Sequence, residues 1–466
     1  MRRLVPTSLT LAAITLAAIT LTGIACGDPP AAVPATPAPA SPVPATPAPA
    51  TADVQAEPEP KTKPPTKRKR ITDAERQTYD FQLAQLDRQL AGRTKIAETN
   101  TTSSIAFGNL ASLYLSRARL TGDYDDYAKA EQLIDKAFAV SPSGNNGPFM
   151  VRARLNYTLH RLDRVDADYE LATKLPTRDP SALYQRELFR ANLAFQRGQY
   201  EQAKKDLDSA VERKPLLPSL ASLALYYWKS GQFDQAEPLY LQALEDYRDD
   251  ATEPAAWLHL QLGLMDLDRG RYDEALEHYR AGEALIKGYW LIEEHIAEIL
   301  TLQGKTEQAE AMYRAIIERT DNPEFMDALG ELLEAAGKTD EATQWYAKAA
   351  ERYEAQLKRF PEAAYGHALE HFLAHGKDPA RALQMAERNH ALRPNADAKR
   401  LLAQALLAAG KTADARKMIE EALATPMRSA DLHAAAAAVY AASGDEAKAQ
   451  AQREAARAIN PKIELE

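Results

Sequence analysis

The chain has 466 residues, of which 45% are hydrophobic and 26% charged, and its formal net charge of −9 becomes more negative if a leader carrying Arg2 and Arg3 is removed. So acidic a body excludes nucleic acid as a partner, because that binding needs a basic footprint. A single cysteine excludes an intrachain disulfide.

From the N-terminus, Arg2 and Arg3 precede an apolar stretch over residues 9–25 that ends in small residues, the pattern of an export signal and not of folded structure. The stretch stops at Cys26, and Leu21-Thr22-Gly23-Ile24-Ala25-Cys26 resembles a bacterial lipoprotein signal, with Gly23 where leucine is usual. The resemblance implies a signal peptide over 1–25, cleavage before Cys26 and lipidation of Cys26; a plain signal peptide or a short membrane anchor is the alternative. Gly27 follows the cysteine in place of aspartate. The expected address is therefore the bacterial cell envelope, lipid-anchored at the outer membrane and facing the periplasm.

Residues 26–70 read as a disordered tether. Residues 29–52 are rich in proline and alanine and carry a repeated Val-Pro-Ala-Thr-Pro-Ala-Pro-Ala block, which favours an extended spacer reaching on the order of 100 Å. It ends in the basic run Lys61, Lys63, Lys67, Arg68, Lys69 and Arg70, either a solubilising end or a contact for anionic headgroups. Next, over 71–103, Thr72-Asp73-Ala74-Glu75 forms a capping box, and Tyr79, Leu83, Leu86 and Leu90 follow at helical spacing. A helix over 72–91 is expected to cap the downstream part of the chain or to swap onto a neighbour, with residues 93–103 as a polar link.

From 104 to 466 the chain repeats. Gly198, Gly231, Gly270, Gly304, Gly337, Gly376, Gly410 and Gly444 lie 33 to 39 residues apart. Five residues later stands Ala203, Ala236, Ala275, Ala309, Ala342, Ala415 or Ala449, with Ala382 one step late. Four further come Leu207, Tyr240, Tyr279, Tyr313, Tyr346 and Ile419, and seven before the glycines come Ala191, Ala224, Gly263, Ala297, Gly330, Ala403 and Ala437. A glycine free to adopt the left-handed region ends one helix and lets the chain reverse, while small residues mark close helix approach and the larger ones fill the gap beside them. Each period is one helical hairpin.

At these positions the sequence resembles the tetratricopeptide repeat family, most clearly at Ala203, Leu207, Ala210 and Pro215 and at Ala275, Tyr279 and Gly282. The resemblance implies an all-α fold, a right-handed superhelical α-solenoid of about ten helical hairpins from roughly Ser104 to Pro461, whose concave groove binds a protein or peptide. Leu369, Asn389 and Ile316 depart from the pattern. The alanine-rich last hairpin is expected to close the core.

Few motifs carry chemistry, and no catalytic or cofactor constellation stands out, so the chain reads as no enzyme. Gly304-Lys305-Thr306, Gly337-Lys338-Thr339 and Gly410-Lys411-Thr412 echo the end of a phosphate-binding loop but lack its earlier glycine, having Ile299, Leu332 and Ala405 there. His367-Ala368-Leu369-Glu370-His371 has the spacing of an inverted zinc-peptidase motif in a repeat that is not that fold. In the register implied by the family, Glu294, His295, Glu298, Asp327, Glu331, His367 and Glu370 fall on the groove, forming a carboxylate and histidine ladder. It is expected to recruit a basic partner segment; the alternative is a divalent metal, with His367, Glu370 and His371 as candidate ligands. Trp228, Phe195 and Trp257 are expected to face the groove beside it as aromatic anchors. A self-assembling subunit is a third reading.

Overall fold

The computed structural model describes residues 76–141, 147–175, 177–249 and 251–465. The signal, Cys26, the tether and the capping box at Thr72 lie outside the described residues. Among the described residues no helix is long and apolar enough to cross a membrane.

A leading helix, α1 (Tyr79–Thr99), is followed by ten antiparallel hairpins. The first five are α2 (Ser104–Thr121) with α3 (Tyr124–Ala139), α4 (Phe149–Thr158) with α5 (Leu162–Lys174), α6 (Pro180–Gln196) with α7 (Tyr200–Arg213), α8 (Leu217–Lys229) with α9 (Phe233–Asp246), and α10 (Glu253–Asp268) with α11 (Tyr272–Leu285). The second five are α12 (Trp290–Leu302) with α13 (Thr306–Thr320), α14 (Pro323–Ala335) with α15 (Thr339–Arg359), α16 (Pro361–Ala374) with α17 (Pro379–Leu392), α18 (Ala396–Ala408) with α19 (Thr412–Leu423), and α20 (Ala430–Ala442) with α21 (Glu446–Ile459). Every helix packs on the next, and the first helices of successive hairpins also touch, as in α12 on α14 and α18 on α20.

The turns explain the glycine period. At Gly270, φ is +70°, its N–H donates to Leu267 O at 2.9 Å and the N–H of Arg271 donates to Asp266 O at 2.9 Å. This pair of bonds satisfies carbonyls that the helix end would otherwise orphan. Two turns differ. Gly376 does not carry the positive φ; Lys377 does, at 49°. In the second hairpin His160 takes the left-handed position at φ 59°, with the same bond pair running from His160 and Arg161 to Tyr157 and Asn156.

Packing accounts for the small and large positions. Ala203, Ala236, Ala275 and Ala309 are fully buried, as are Tyr240 and Tyr279. A Cβ on Gly263 would lie 2.3 Å from the Tyr279 ring, and one on Gly330 would lie 2.4 Å from Tyr346. The tyrosine therefore occupies the volume that a side chain on the facing helix would need, and glycine is selected there despite its weak helix propensity.

The superhelix turns tightly enough for its early hairpins to touch its late ones. The Trp290 indole covers the Gly122 turn and donates to Leu120 O at 3.0 Å. Tyr124 packs on Phe360 with ring centroids 5.8 Å apart, and Asp125 pairs with Arg359. The third turn receives Asn395 Nδ2 on Gln196 O at 3.2 Å, while Tyr200 accepts from the Ala396 N–H at 2.8 Å. At the fourth, Arg428 N–H donates to Lys229 O at 2.9 Å, and at the fifth Lys462 lies 4.0 Å over the Tyr272 ring.

The leading helix joins this closure and does not simply cap an end. Leu90 and Ala97 bury with Leu110 on α2, whereas its first turn crosses to the link before α12: Tyr79 N–H donates to Lys287 O at 3.0 Å and its ring stacks on Tyr289 at 5.9 Å. The polar link expected over 93–103 is mostly helix, since α1 runs to Thr99.

Two glycines of similar φ test the closure. A Cβ at Gly304 (φ +72°) meets nothing within 4 Å, whereas at Gly198 (φ +70°) it would lie 2.8 Å from Pro394 O. Gly304→Ala should lower stability by about 1 kcal/mol through conformation alone, and Gly198→Ala clearly more, read as the shift of the urea midpoint. Equal losses would mean that the third turn does not meet the ninth hairpin.

Candidate functional site

The inner stripe of the superhelix is built by the first helices of hairpins five to ten. On α12, Glu294, His295 and Glu298 are 7%, 3% and 1% exposed. His295 Nε2 is 2.8 Å from Glu294 Oε1 and its Nδ1 is 3.1 Å from Glu298 Oε2. The Tyr279 ring stacks on the imidazole at 5.4 Å. Burial opposes a charge on His295, but the two carboxylates outweigh it and raise its pKa to about 10. Burial also pushes Glu298 up to about 7 against the pull of His295. The group is an imidazolium held between two acids.

One hairpin on, the charges pair across helices. Glu324, Asp327 and Glu331 on α14 face His367, His371 and, just past the end of α16, His375. His367 Nδ1 is 3.4 Å from Glu324 Oε1, His371 Nδ1 is 2.9 Å from Asp327 Oδ1, and His375 Nε2 is 3.1 Å from Glu331 Oε1. Histidines four residues apart are met by acids three and four apart, so each imidazole lands on its own carboxylate. Glu370 points onward to Arg400 Nη2 on α18 at 3.8 Å. Burial, reinforced by Asp397, Glu324 and Asp431 against Arg400, pushes it up to about 8.

These positions correct several expectations. Glu294, His295 and Glu298 are not open groove lining; they are buried and spent on one another. His367, Glu370 and His371 do not converge on an ion, because each turns to a different partner. Among the described residues, the side chains whose potential ligand atoms do gather, within 4.8 Å of one another, are Glu294, His295 and Glu298. Trp228 is 1% exposed with its indole donating to Asp268 Oδ2 at 2.8 Å, and Trp257 is 7% exposed within the main core. Neither is an exposed anchor. Their helices turn those rings into the packing of neighbouring hairpins, which a register counted from the glycine alone does not reveal.

Sequence reasoning missed a cavity of about 130 Å³ between the third and fourth turns and the starts of the ninth and tenth hairpins, lined by Phe195, Tyr200, Lys229, Arg393, Arg400 and Arg428 among others. Its walls come together only through the closure. The one local signal is a basic residue two or three positions before α18 and α20, at Arg393 and Arg428.

Replacing His295 tests the buried triad. His295→Gln should cost about 3 kcal/mol near neutral pH, the usual result of removing one partner of a buried ion pair. A histidine pKa raised from 6.5 to about 10 stabilises fully below 6.5 and loses that contribution as pH climbs to about 10. The gap in thermal midpoint between wild type and variant should therefore narrow from pH 7 to pH 10; a constant gap would contradict the charged triad.

Comparison with known proteins agrees with this architecture. Models of the tetratricopeptide repeat match residues 216–287, 303–356 and 396–421. No curated protein matches the sequence. Solved structures similar to the chain include a tetratricopeptide repeat protein from Parabacteroides merdae, with 19% identity over 52% of this chain and 93% of that one and a TM-score of 0.31. Naa15/Naa10 bound to HypK-THB matches with 17% identity over 80% and 66% and a TM-score of 0.27. The human IFIT1 dimer with m7Gppp-AAAA matches with 13% identity over 83% and 99% and a TM-score of 0.38. The matched stretches fall on hairpins whose turn, small-residue and tyrosine positions recur outside them as well, and the chain is a tetratricopeptide repeat protein.

Proposed function

We propose that this repeat protein is a protein-interaction scaffold of the bacterial envelope, held to the membrane by lipid on Cys26 and carried away from it by the proline-rich tether. The signal at residues 21–26 supports the address, and the repeat array supports the scaffold. Its partner presents a basic segment. The observation behind that is Glu370, whose side chain keeps 23% exposure while its opposing cation, Arg400, stands 3.8 Å away and is shared with Asp397 at 2.9 Å. Glu324, 24% exposed, and Asp397, 47% exposed, flank it. On its own Glu370 is held largely protonated by burial, and a lysine or arginine from a partner would draw it into its charged form, with selectivity set by electrostatic complementarity.

Crosslinking in intact envelopes tests both parts. A partner should be captured by wild type and by Glu370→Gln at reduced yield, and lost with Glu370→Lys; equal capture by all three would move the interface elsewhere. Wild type should take up labelled palmitate and Cys26→Ala should not. Wild type that takes up none would rule out the lipid anchor.

One observation favours a second reading, a divalent metal held by Glu294, His295 and Glu298: their potential ligand atoms gather within 4.8 Å, and Glu298 Oε1 is buried without a hydrogen-bond partner. Imidazole and carboxylate donors in this combination suit zinc or manganese. Protein exchanged into zinc and passed through a desalting column should then retain one ion per chain and lose it in His295→Gln. Metal-free protein would leave the imidazolium triad as the whole description.

A further inference from the structure

The cavity between the third and fourth turns and the ninth and tenth hairpins has an apolar wall of Phe195, Leu225, Met427 and Leu432. Its charged wall sets Lys229, Arg393, Arg400 and Arg428 against Asp268, Asp397 and Asp431. Two of these cations are already committed. Lys229 lies 3.3 Å from Asp268, and Arg400 lies 2.9 Å from Asp397.

Among the described residues the other two pair with no carboxylate; Asp397, bonded to Arg400, acts on Arg393 only at longer range. Arg393 is 5% exposed, and its Nη2 donates to Asn389 Oδ1 at 2.7 Å while its Nη1 is 3.1 Å from His160 Nε2. Burial and the Arg393 charge hold His160 well below its ordinary pKa, so this imidazole is neutral. The Nε of Arg393 is buried with no acceptor. Arg428 Nη1 donates to two backbone carbonyls, Thr425 O and Met427 O, each at 2.6 Å. Among the described residues no carboxylate stands within ion-pair distance of either guanidinium. Burial pushes Asp431, the third acid of the wall, up to about 6, and the cations that act on it are Arg400 and Lys229. A buried guanidinium without a counter-charge costs several kcal/mol in general, and this one sits beside an apolar hollow.

The geometry points to a small organic carboxylate as the occupant of this cavity, its anionic end on Arg393 and Arg428 and its hydrocarbon body against Phe195, Leu225, Met427 and Leu432. Apolar walls with a few placed polar groups are the usual make-up of a small-molecule site. The site adjoins the partner surface at Glu370 and shares Arg400 and Asp397 with it. It also has a mechanical consequence: its walls come from hairpins three, four and five on one side and nine and ten on the other, so an occupant binds the closed superhelix and stabilises the closure by mass action.

Hexanoate serves as the probe, with hexanol and inorganic phosphate beside it, titrated into the mature chain by calorimetry and followed by thermal unfolding. Hexanoate should bind once per chain, raise the midpoint, and bind at least about tenfold more tightly than hexanol, the scale of a charge-assisted hydrogen bond in a buried site. Arg393→Gln and Arg428→Gln should each weaken it by about tenfold or more. Arg428 is partly exposed, so its variant tests the site even if Arg393→Gln folds poorly. Equal binding of hexanoate and hexanol, tighter binding of phosphate, unchanged hexanoate affinity in both variants, or no binding at all would overturn the assignment.

Discussion

The structure depends on the contact between the early hairpin turns and the starts of the late hairpins. A helical-repeat array in which each unit touches only its neighbours behaves as a one-dimensional spring with an open groove. Here the Trp290 indole seals the first turn, Arg393 reaches the second, Asn395 and Ala396 hold the third, and Arg428 the fourth. These contacts join residues 170 to 233 positions apart. They turn the inner faces of the late hairpins into an interior, and every charge on those faces then has to be satisfied within the protein or by something that enters it.

That requirement explains the histidines. In an open groove an acidic stripe needs no partner, but buried carboxylates are costly unless paired. His295 sits between two acids of its own helix, while His367, His371 and His375 each meet an acid on the preceding hairpin. The cross-helix pairs thus fasten hairpin seven to hairpin eight. Towards hairpins nine and ten the surplus changes sign, from the acid-rich neighbourhood of Glu370 to Arg393 and Arg428. The interior is polarised along the superhelix axis, with its incompletely matched charges next to each other where the two regimes meet.

Much of the fold was legible in the sequence because it is local. The glycine period, the alanine positions and the tyrosines report on contacts inside one hairpin or between adjacent ones, and Tyr279 does fill the space that Gly263 leaves. Where the local rule is loose it misleads slightly: Lys377 takes the left-handed turn beside Gly376, and His160 does so with no glycine nearby. The closure left no comparable trace. Nothing periodic announces that Trp290 will rest on Leu120, so Glu294, Glu298, Trp228 and Trp257 were legible as residues of the inner helices but not as buried ones. The same blindness hid the cavity, and it led the His367 and His371 spacing to suggest a shared ion when each ring has its own acid.

The most direct test of the closed interior is solvent exchange at the Trp290 indole N–H. Four tryptophans give four indole signals in tryptophan-labelled protein, and Trp290→Phe identifies the one in question. In the closed superhelix Trp290 is 5% exposed and donates to Leu120 O, so its exchange should be slow, on a level with the buried Trp228. Rapid exchange at Trp290, with Trp228 still protected, would show intact hairpins in an open array and would contradict the closed interior on which the ladder and the cavity depend.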